Sequence, residues 1–504
     1  MKFTLHWSSR SDLALFFAML FFIALFPSCI KQTTISNELT DLSAPVDPSN
    51  ATTLSSFIRT NGDTSTATRL YATQVTEAAN ALISATPTGQ RDQLMFPFDT
   101  TARYLGVDTS LTPSFCAVLA FTLPGWGVPQ CKMNQAQLEA MHQLLSMALS
   151  GGGYQTLLTV LNHQRVIGEI ENRGDTITVA NAKDDFPNRL ASSIFDYAPS
   201  GSLRNFYPAV GGSIPNDPNS YFINWVWDPP GLATRREQFC EYTMAIFGRP
   251  GGVEWGFRFE GHHISVNMTF IKDTQNGGIN IYSTPLFFGA FPMIIPETPS
   301  NYNGYKAQWV WEKGQVLMYS VAQQLRQFWQ SLPNIFLQDA FIDTTYFPQT
   351  GPLGLNTPPP FLISALATSV NTSAIDSFPN IKISTSSLSE TSKYHLRQAY
   401  FYYLVAMNPY VANRYIDRLD WALENDQTIT LAWAGDDLTI SNAHLYSYIE
   451  VGALLLEFLQ SNQFSVQHDP DVTGNHIHGM LRDLFFDWAD PMQSHHWADH
   501  QHPH

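Results

Sequence analysis

The sequence predicts an α+β protein: a single large domain with a mixed or antiparallel sheet and an N-terminal helical hairpin. Three observations lead there. Apolar residues recur at helical spacing from Asn134 to Leu149 and again from Tyr154 to about Glu171. Two β-rich runs, Phe257 to Ile271 and Ile279 to Phe288, flank Asp273-Thr274-Gln275-Asn276-Gly277-Gly278, a turn with Asn-Gly at its tip. Aromatic residues make up 13% of the 504 residues and charged ones only 14%, the composition of a chain with a large buried core. That length admits one large domain or two ordinary ones, and no internal sequence repeat divides it.

Taken in order, the first residues read as a targeting segment. Lys2 and Arg10 supply basic charge ahead of and beside the apolar run Leu13 to Phe26. The run is shorter than the roughly 20 residues a membrane-spanning helix needs, and it has the length of a signal-peptide core. Leu25-Phe26-Pro27-Ser28-Cys29 resembles the cleavage site of bacterial lipoproteins. Residues 1–28 are therefore expected to be removed and Cys29 to carry lipid, which makes the membrane a partner. The expected location is the bacterial cell envelope, or secretion if the signal peptide is a plain one. Residues 29–75, rich in Thr, Ser, Asn, Asp and Pro, read as a flexible tether. Export permits disulfides. Cys116 and Cys131 enclose a short loop and are placed to pair, which leaves Cys240 as a buried thiol.

The domain is expected over residues 76–490. Asn134 caps the first helix, with Gln137 three residues on, and Leu138, Met141, Leu145, Ala148 and Leu149 share a face. Gly151 to Gly153 are expected to end it. The second helix carries Leu157, Leu158, Leu161 and Ile167. Residues 173–235, rich in Asn, Asp, Pro, Ser and Gly, read as an insertion. Further helices are expected over Gln315–Leu332, Tyr394–Met407 and Ala412–Leu423, with a Pro/Gly loop at 345–360. Thr428–Ala434 and Ala443–Phe458 read as strands, the latter as two. Residues 491–504 form a histidine-rich tail.

The formal net charge is −16, with 27 Lys and Arg against 43 Asp and Glu and no basic run. Nucleic acid is thereby excluded as a partner, because phosphate contacts need clustered cations. The chain has no G-x-S-x-G elbow, no Walker A loop, no H-E-x-x-H and no zinc-type cysteine spacing. Its chemistry concentrates instead in two histidine motifs. In Gly261-His262-His263-Ile264-Ser265-Val266-Asn267, strand alternation places His263, Ser265 and Asn267 on one face and His262 on the other. In Asn475-His476-Ile477-His478, the one-residue gap turns both imidazoles the same way, a spacing suited to a shared ion. Asp483 is the carboxylate expected to complete the site. Arg482, Asp487 and His262 are expected to support it. Imidazole with carboxylate suits one divalent transition metal: zinc, iron or copper. Each histidine also has a plain structural role open to it, as a hydrogen-bonded core residue or an exposed strand residue.

Tyr242 to Phe247, Gly248-Arg249-Pro250, Trp255 through Asn267 and Thr284-Pro285-Leu286-Phe287-Phe288-Gly289-Ala290 together resemble the family called domain of unknown function 3500. So do Asn475-His476-Ile477-His478-Gly479, Arg482-Asp483 and Asp487 near the other end. The resemblance covers roughly residues 90–488 and implies one domain holding both motifs, without implying a reaction. Two functions compete. The first is an exported or lipid-anchored metal-dependent hydrolase, with His263, His476 and His478 as ligands and His263, Asn267 and Asp483 as its catalytic groups. The alternative is a non-catalytic cell-surface protein that recognises a glycan or peptide through Trp225, Trp227, Trp309 and Trp311.

Overall fold

The computed structural model describes residues 62–98, 127–171, 242–261, 263–290, 293, 318–342, 379–435, 437–439, 444–461 and 476–487. The signal segment, Cys29, the insertion 173–235, the four tryptophans above, Cys116, Cys240, His262 and the histidine tail lie outside them.

Seven helices of a turn and a half or more occur among the described residues. The first, α1 (Thr66–Ala85), starts where the Ser65 side chain accepts from the Thr68 N–H. Tyr71, Val75, Ala78 and Leu82 recur every three or four residues and are buried, so one stripe faces the core. This corrects the tether boundary at residue 75. Ahead of the helix, Asp63 already exchanges two backbone hydrogen bonds with Ile279. α2 (Gln135–Ala148) has the expected capping box of Asn134 and Gln137. α3 (Gly151–Glu171) begins at the very glycines expected to close α2. A side chain at Gly153 would lie 1.9 Å from the carbonyl oxygen of Ala406, so this glycine lets the helix start cross another backbone. α2 and α3 are joined through Leu149–Ser150 and the Tyr154 hydroxyl beside His142 Nδ1 at 3.0 Å. The main partner of α2 is nevertheless α1, so the helical hairpin is only part of a three-helix arrangement.

α4 (Tyr319–Ser331), α5 (Asn334–Asp339), α6 (Glu390–Leu404) and α7 (Pro409–Glu424) follow. Ser389 caps α6, and Asn408 caps α7 ahead of a proline in its first turn.

Twelve strands among the described residues form one sheet. They are β1 (Met95–Phe96), β2 (Val128–Pro129), β3 (Thr243–Gly248), β4 (Glu254–Gly261), β5 (Ile264–Lys272), β6 (Ile279–Tyr282), β7 (Leu286–Ala290), β8 (Ile381–Ser384), β9 (Thr428–Gly435), β10 (Leu445–Val451), β11 (Leu454–Ser461) and β12 (His476–Asp483). The order is β1-β3-β4-β5-β7-β12-β11-β10-β9-β8, with β2 against β3 and β6 against β5. β1 runs parallel to β3 and the other named pairs are antiparallel, so the sheet is mixed. All described residues belong to one compact unit, Pro48–His504.

The long run Phe257–Ile271 is not one strand. It folds back between Gly261 and Ile264, which pair with each other. The hairpin at Asn276-Gly277 forms as expected, with Gly277 at φ 72°. β10 and β11 join through a two-residue loop, Gly452-Ala453, at φ 57° and 60°.

The element order repeats, although the sequence does not. Two helices and four antiparallel strands (α2, α3, β3, β4, β5, β7) recur as α6, α7, β9, β10, β11, β12, and the halves meet where β7 pairs with β12. Even a local bond recurs: His263 O accepts from the Gly289 N–H, as Ala453 O accepts from the Leu484 N–H, each at 2.9 Å.

Alternation divides the sheet into two unlike faces. Phe259, Val266, Phe288, Leu456, Phe458 and Leu481 face the helices in the main apolar core. At about 25 cal/mol per Å², such a core supplies most of the folding drive. The helices also grip this face through polar contacts. Trp329 Nε1 donates to Ser447 Oγ at 2.8 Å, and the Tyr400 hydroxyl donates to the Ile449 and Leu454 carbonyl oxygens. Side chains on the opposite face are buried as well, and several of them are polar.

Candidate functional site

Register fixes which side chains meet on the second face. β5, β7 and β12 are neighbours, and His478 lies directly opposite Gly289. On the other side of β7, the turn from β4 to β5 delivers His263 to the same glycine. The two imidazole centres stand 5.1 Å apart at 53°. Both residues are buried, at 1% and 6% exposure. A side chain at Gly289 would lie 2.7 Å from His263 Cδ2 and 3.0 Å from His478 Cδ2, so the absence of one is what gives the rings room. Phe287 packs its ring 5.4 Å from that of His478.

His263 does not sit in the strand. Its φ is 66°, the left-handed region, which residues with a side chain enter rarely, though His, Asn and Asp do so more readily than most. The sequence motif thus folds as a strained tight loop, and the strain is local to the imidazole it carries.

Polar pairs extend from this centre along the same face. Asn267 Nδ2 donates to Ser265 Oγ at 3.0 Å and to the Pro285 carbonyl oxygen at 2.8 Å, holding the chain where β6 gives way to β7. Arg258, opposite Asn267, pairs with Glu260 at 2.9 Å, and both are buried. Burial pushes the Glu260 carboxyl up to about 7, against the opposing pull of Arg258. Beyond β12, the Tyr446 hydroxyl donates to Glu457 Oε1 at 2.5 Å. At the strand end, Arg482 Nε meets Asp487 Oδ2 at 2.5 Å, and Asp487 Oδ1 accepts from the Asp483 N–H at 2.9 Å. Burial raises the Asp487 carboxyl, with Arg482 pulling the other way.

The residue-by-residue outcome is mixed. His263 and His478 come together. His476 begins β12 opposite Ser461, and its side chain lies outside the described residues. Asn267 shares the face with its amide committed to Ser265 and Pro285. Asp483 is on the wrong side: five residues separate it from His478, and an odd separation along a strand reverses the face. Its carboxylate meets Arg418 of α7 at 3.0 Å, in the helix layer. Arg482 and Asp487 satisfy one another. Among the described residues, no three His, Cys, Asp or Glu side chains cluster as a metal site. Gly289 joins the site from outside the two histidine motifs' own expected set, and the Arg258–Glu260 and Glu457–Tyr446 pairs share its face of the sheet.

The profile of the family described as Protein of unknown function (DUF3500) matches residues 68–490. The chain belongs to that family. The match contains both histidine motifs, and it opens within α1, in keeping with a helix that starts well before position 76. No curated protein and no solved structure matches the chain. The imidazole pair over Gly289 lies within the matched span of the DUF3500 domain.

Proposed function

We propose that the chain is an exported, lipid-anchored, metal-dependent hydrolase whose ion sits between His263 and His478, on the face of the sheet turned away from the main apolar core. The close approach of the two imidazoles over Gly289 carries this reading. Holding a non-glycine residue left-handed costs about 1 kcal/mol, and here the conformation puts an imidazole against His478 over a residue with no side chain. Two imidazoles bound to one ion at about 2.0–2.1 Å have ring centres roughly 5 Å apart. The observed 5.1 Å suits that arrangement. His476, two residues before His478 on β12, is the third ligand in this reading. Zinc, iron or copper in such a site polarises a substrate oxygen and activates water. Glu260 is the same-face group suited to take a proton.

Elemental analysis of the purified full chain tests the proposal. Stoichiometric transition metal is expected, lost in His263→Ala and in His478→Ala and retained when the tail from Gln493 onward is removed. His263→Gly should lose the metal too, yet unfold with about 1 kcal/mol more stability than His263→Ala, because glycine accepts the left-handed loop. Wild-type protein that holds no metal after reconstitution with zinc, iron(II) or copper(II) would refute the site.

The anchor rests on the apolar run and Ser28-Cys29. Cys29→Ser should move the protein from the membrane pellet to the soluble fraction of cells. Unchanged pelleting of the variant would remove lipid from the reading.

A further inference from the structure

We infer that Arg414 marks a second site, independent of the imidazole pair, that binds a carboxylate-bearing small molecule. Arg414 and Arg418 are one turn apart on α7 and leave it on the same side. Arg418 is 3% exposed, and its Nη2 lies 3.0 Å from Asp483 Oδ1. That oxygen also accepts from the Phe485 N–H at 3.1 Å. The single carboxylate at the end of β12 is therefore committed to Arg418 and to the turn that follows.

Arg414 has no such partner: among the described residues it forms no ion pair, with Asp483 or any other carboxylate. Its guanidinium carbon lies instead 4.5 Å from the Tyr282 ring centre and 4.8 Å from that of Tyr415, and Nη2 donates to the Tyr415 hydroxyl at 3.1 Å. Tyr282 is stacked in turn on Phe486 at 4.9 Å. The half-buried Arg414 is thus held by rings, with its other N–H donors uncommitted. A guanidinium set against phenol rings, with planar edge donors to spare, is the arrangement that takes a carboxylate in bidentate fashion.

A second observation points to a missing acceptor at the same place. Arg418 Nε, on the residue one turn along α7, is buried and makes no hydrogen bond. Buried donors without acceptors are rare in folded proteins. Asp483 pairs with Arg418 and acts on Arg414 only at longer range. A ligand carboxylate supplies the second negative charge. Asp483 lies five residues beyond His478 on β12, about 17 Å along the strand, so the two sites are separate.

The test is calorimetric titration of the full-length protein with succinate, and with inorganic phosphate and chloride at matched ionic strength. Saturable succinate binding is expected, with phosphate weaker and chloride silent. Arg414→Lys keeps the charge but loses the planar fork, and should bind succinate about tenfold more weakly, the loss of one charged hydrogen bond. Heats for succinate no larger than for chloride overturn the site, and that titration of the unmutated protein decides even if the variant does not fold. Phosphate binding tighter than succinate overturns the carboxylate assignment. Equal succinate affinity in Arg414→Lys removes Arg414 as the recognising group.

Discussion

Replacing Asp483 with Ala is expected to lower the unfolding free energy by about 3–5 kcal/mol and to leave bound metal unchanged. Arg418 and Asp483 are 3% and 1% exposed, and their 3.0 Å contact ties α7 to the end of β12. Losing the carboxylate strands a guanidinium whose Nε already lacks an acceptor, and the unpaired buried charge sets the size of the loss. The Phe485 N–H loses its acceptor as well. Asp483→Asn keeps an oxygen for Phe485 but not the charge, so it should fall between Ala and wild type. Urea unfolding measures both. A variant of native stability that has lost its metal would show Asp483 to be a ligand, and the helix-layer pairing to be incidental.

The placement of Asp483 is legible in the sequence, by parity alone. The alternation that groups Ser265 with Asn267 also turns Asp483 away from His478; its expected place as a ligand rests on closeness in the chain, and in a strand parity outweighs closeness. Other features leave a weaker trace. The sequence between Gly261 and Ile264 lacks the Asn-Gly or Asp-Gly that normally marks a tight turn, so it suggests one unbroken run where two strands stand. α1 is masked by its composition: of its seven buried residues three are alanine and one threonine, with Tyr71, Val75 and Leu82 the bulky members, inside a segment of tether-like residues. Arg258 and Glu260 share a face by simple spacing, yet charged residues at alternate strand positions ordinarily face water. Nothing local signals that both faces of this sheet are buried. Where the physics is local, in the Asn134–Gln137 capping box and the Asn276-Gly277 turn, sequence and structure agree to within a residue or two.

The sharpest consequence for the site concerns a residue with no chemistry of its own. Gly289→Ala should remove the metal site and cost about 3 kcal/mol of stability, although alanine is ordinarily the better strand residue. An added Cβ would stand 2.7 Å from His263 Cδ2, 2.8 Å from the Ile477 carbonyl oxygen and 3.0 Å from His478 Cδ2. None of the three can yield cheaply. The Ile477 carbonyl belongs to β12, whose register with β7 and β11 is fixed on both sides. His263 is pinned by a tight loop whose carbonyl oxygen accepts from the Gly289 N–H itself. His478 already packs against the Phe287 ring. The rings must therefore part, and an ion that needs nitrogens about 2 Å away on two sides loses at least one of them. His478→Ala opens space instead of filling it, so the double variant His478→Ala/Gly289→Ala should recover part of the stability lost in Gly289→Ala without recovering metal. Thermal unfolding and metal content, read on the same preparations, separate a packing defect from a lost ligand. Native stability with full metal content in Gly289→Ala would mean that the two imidazoles do not meet over this glycine.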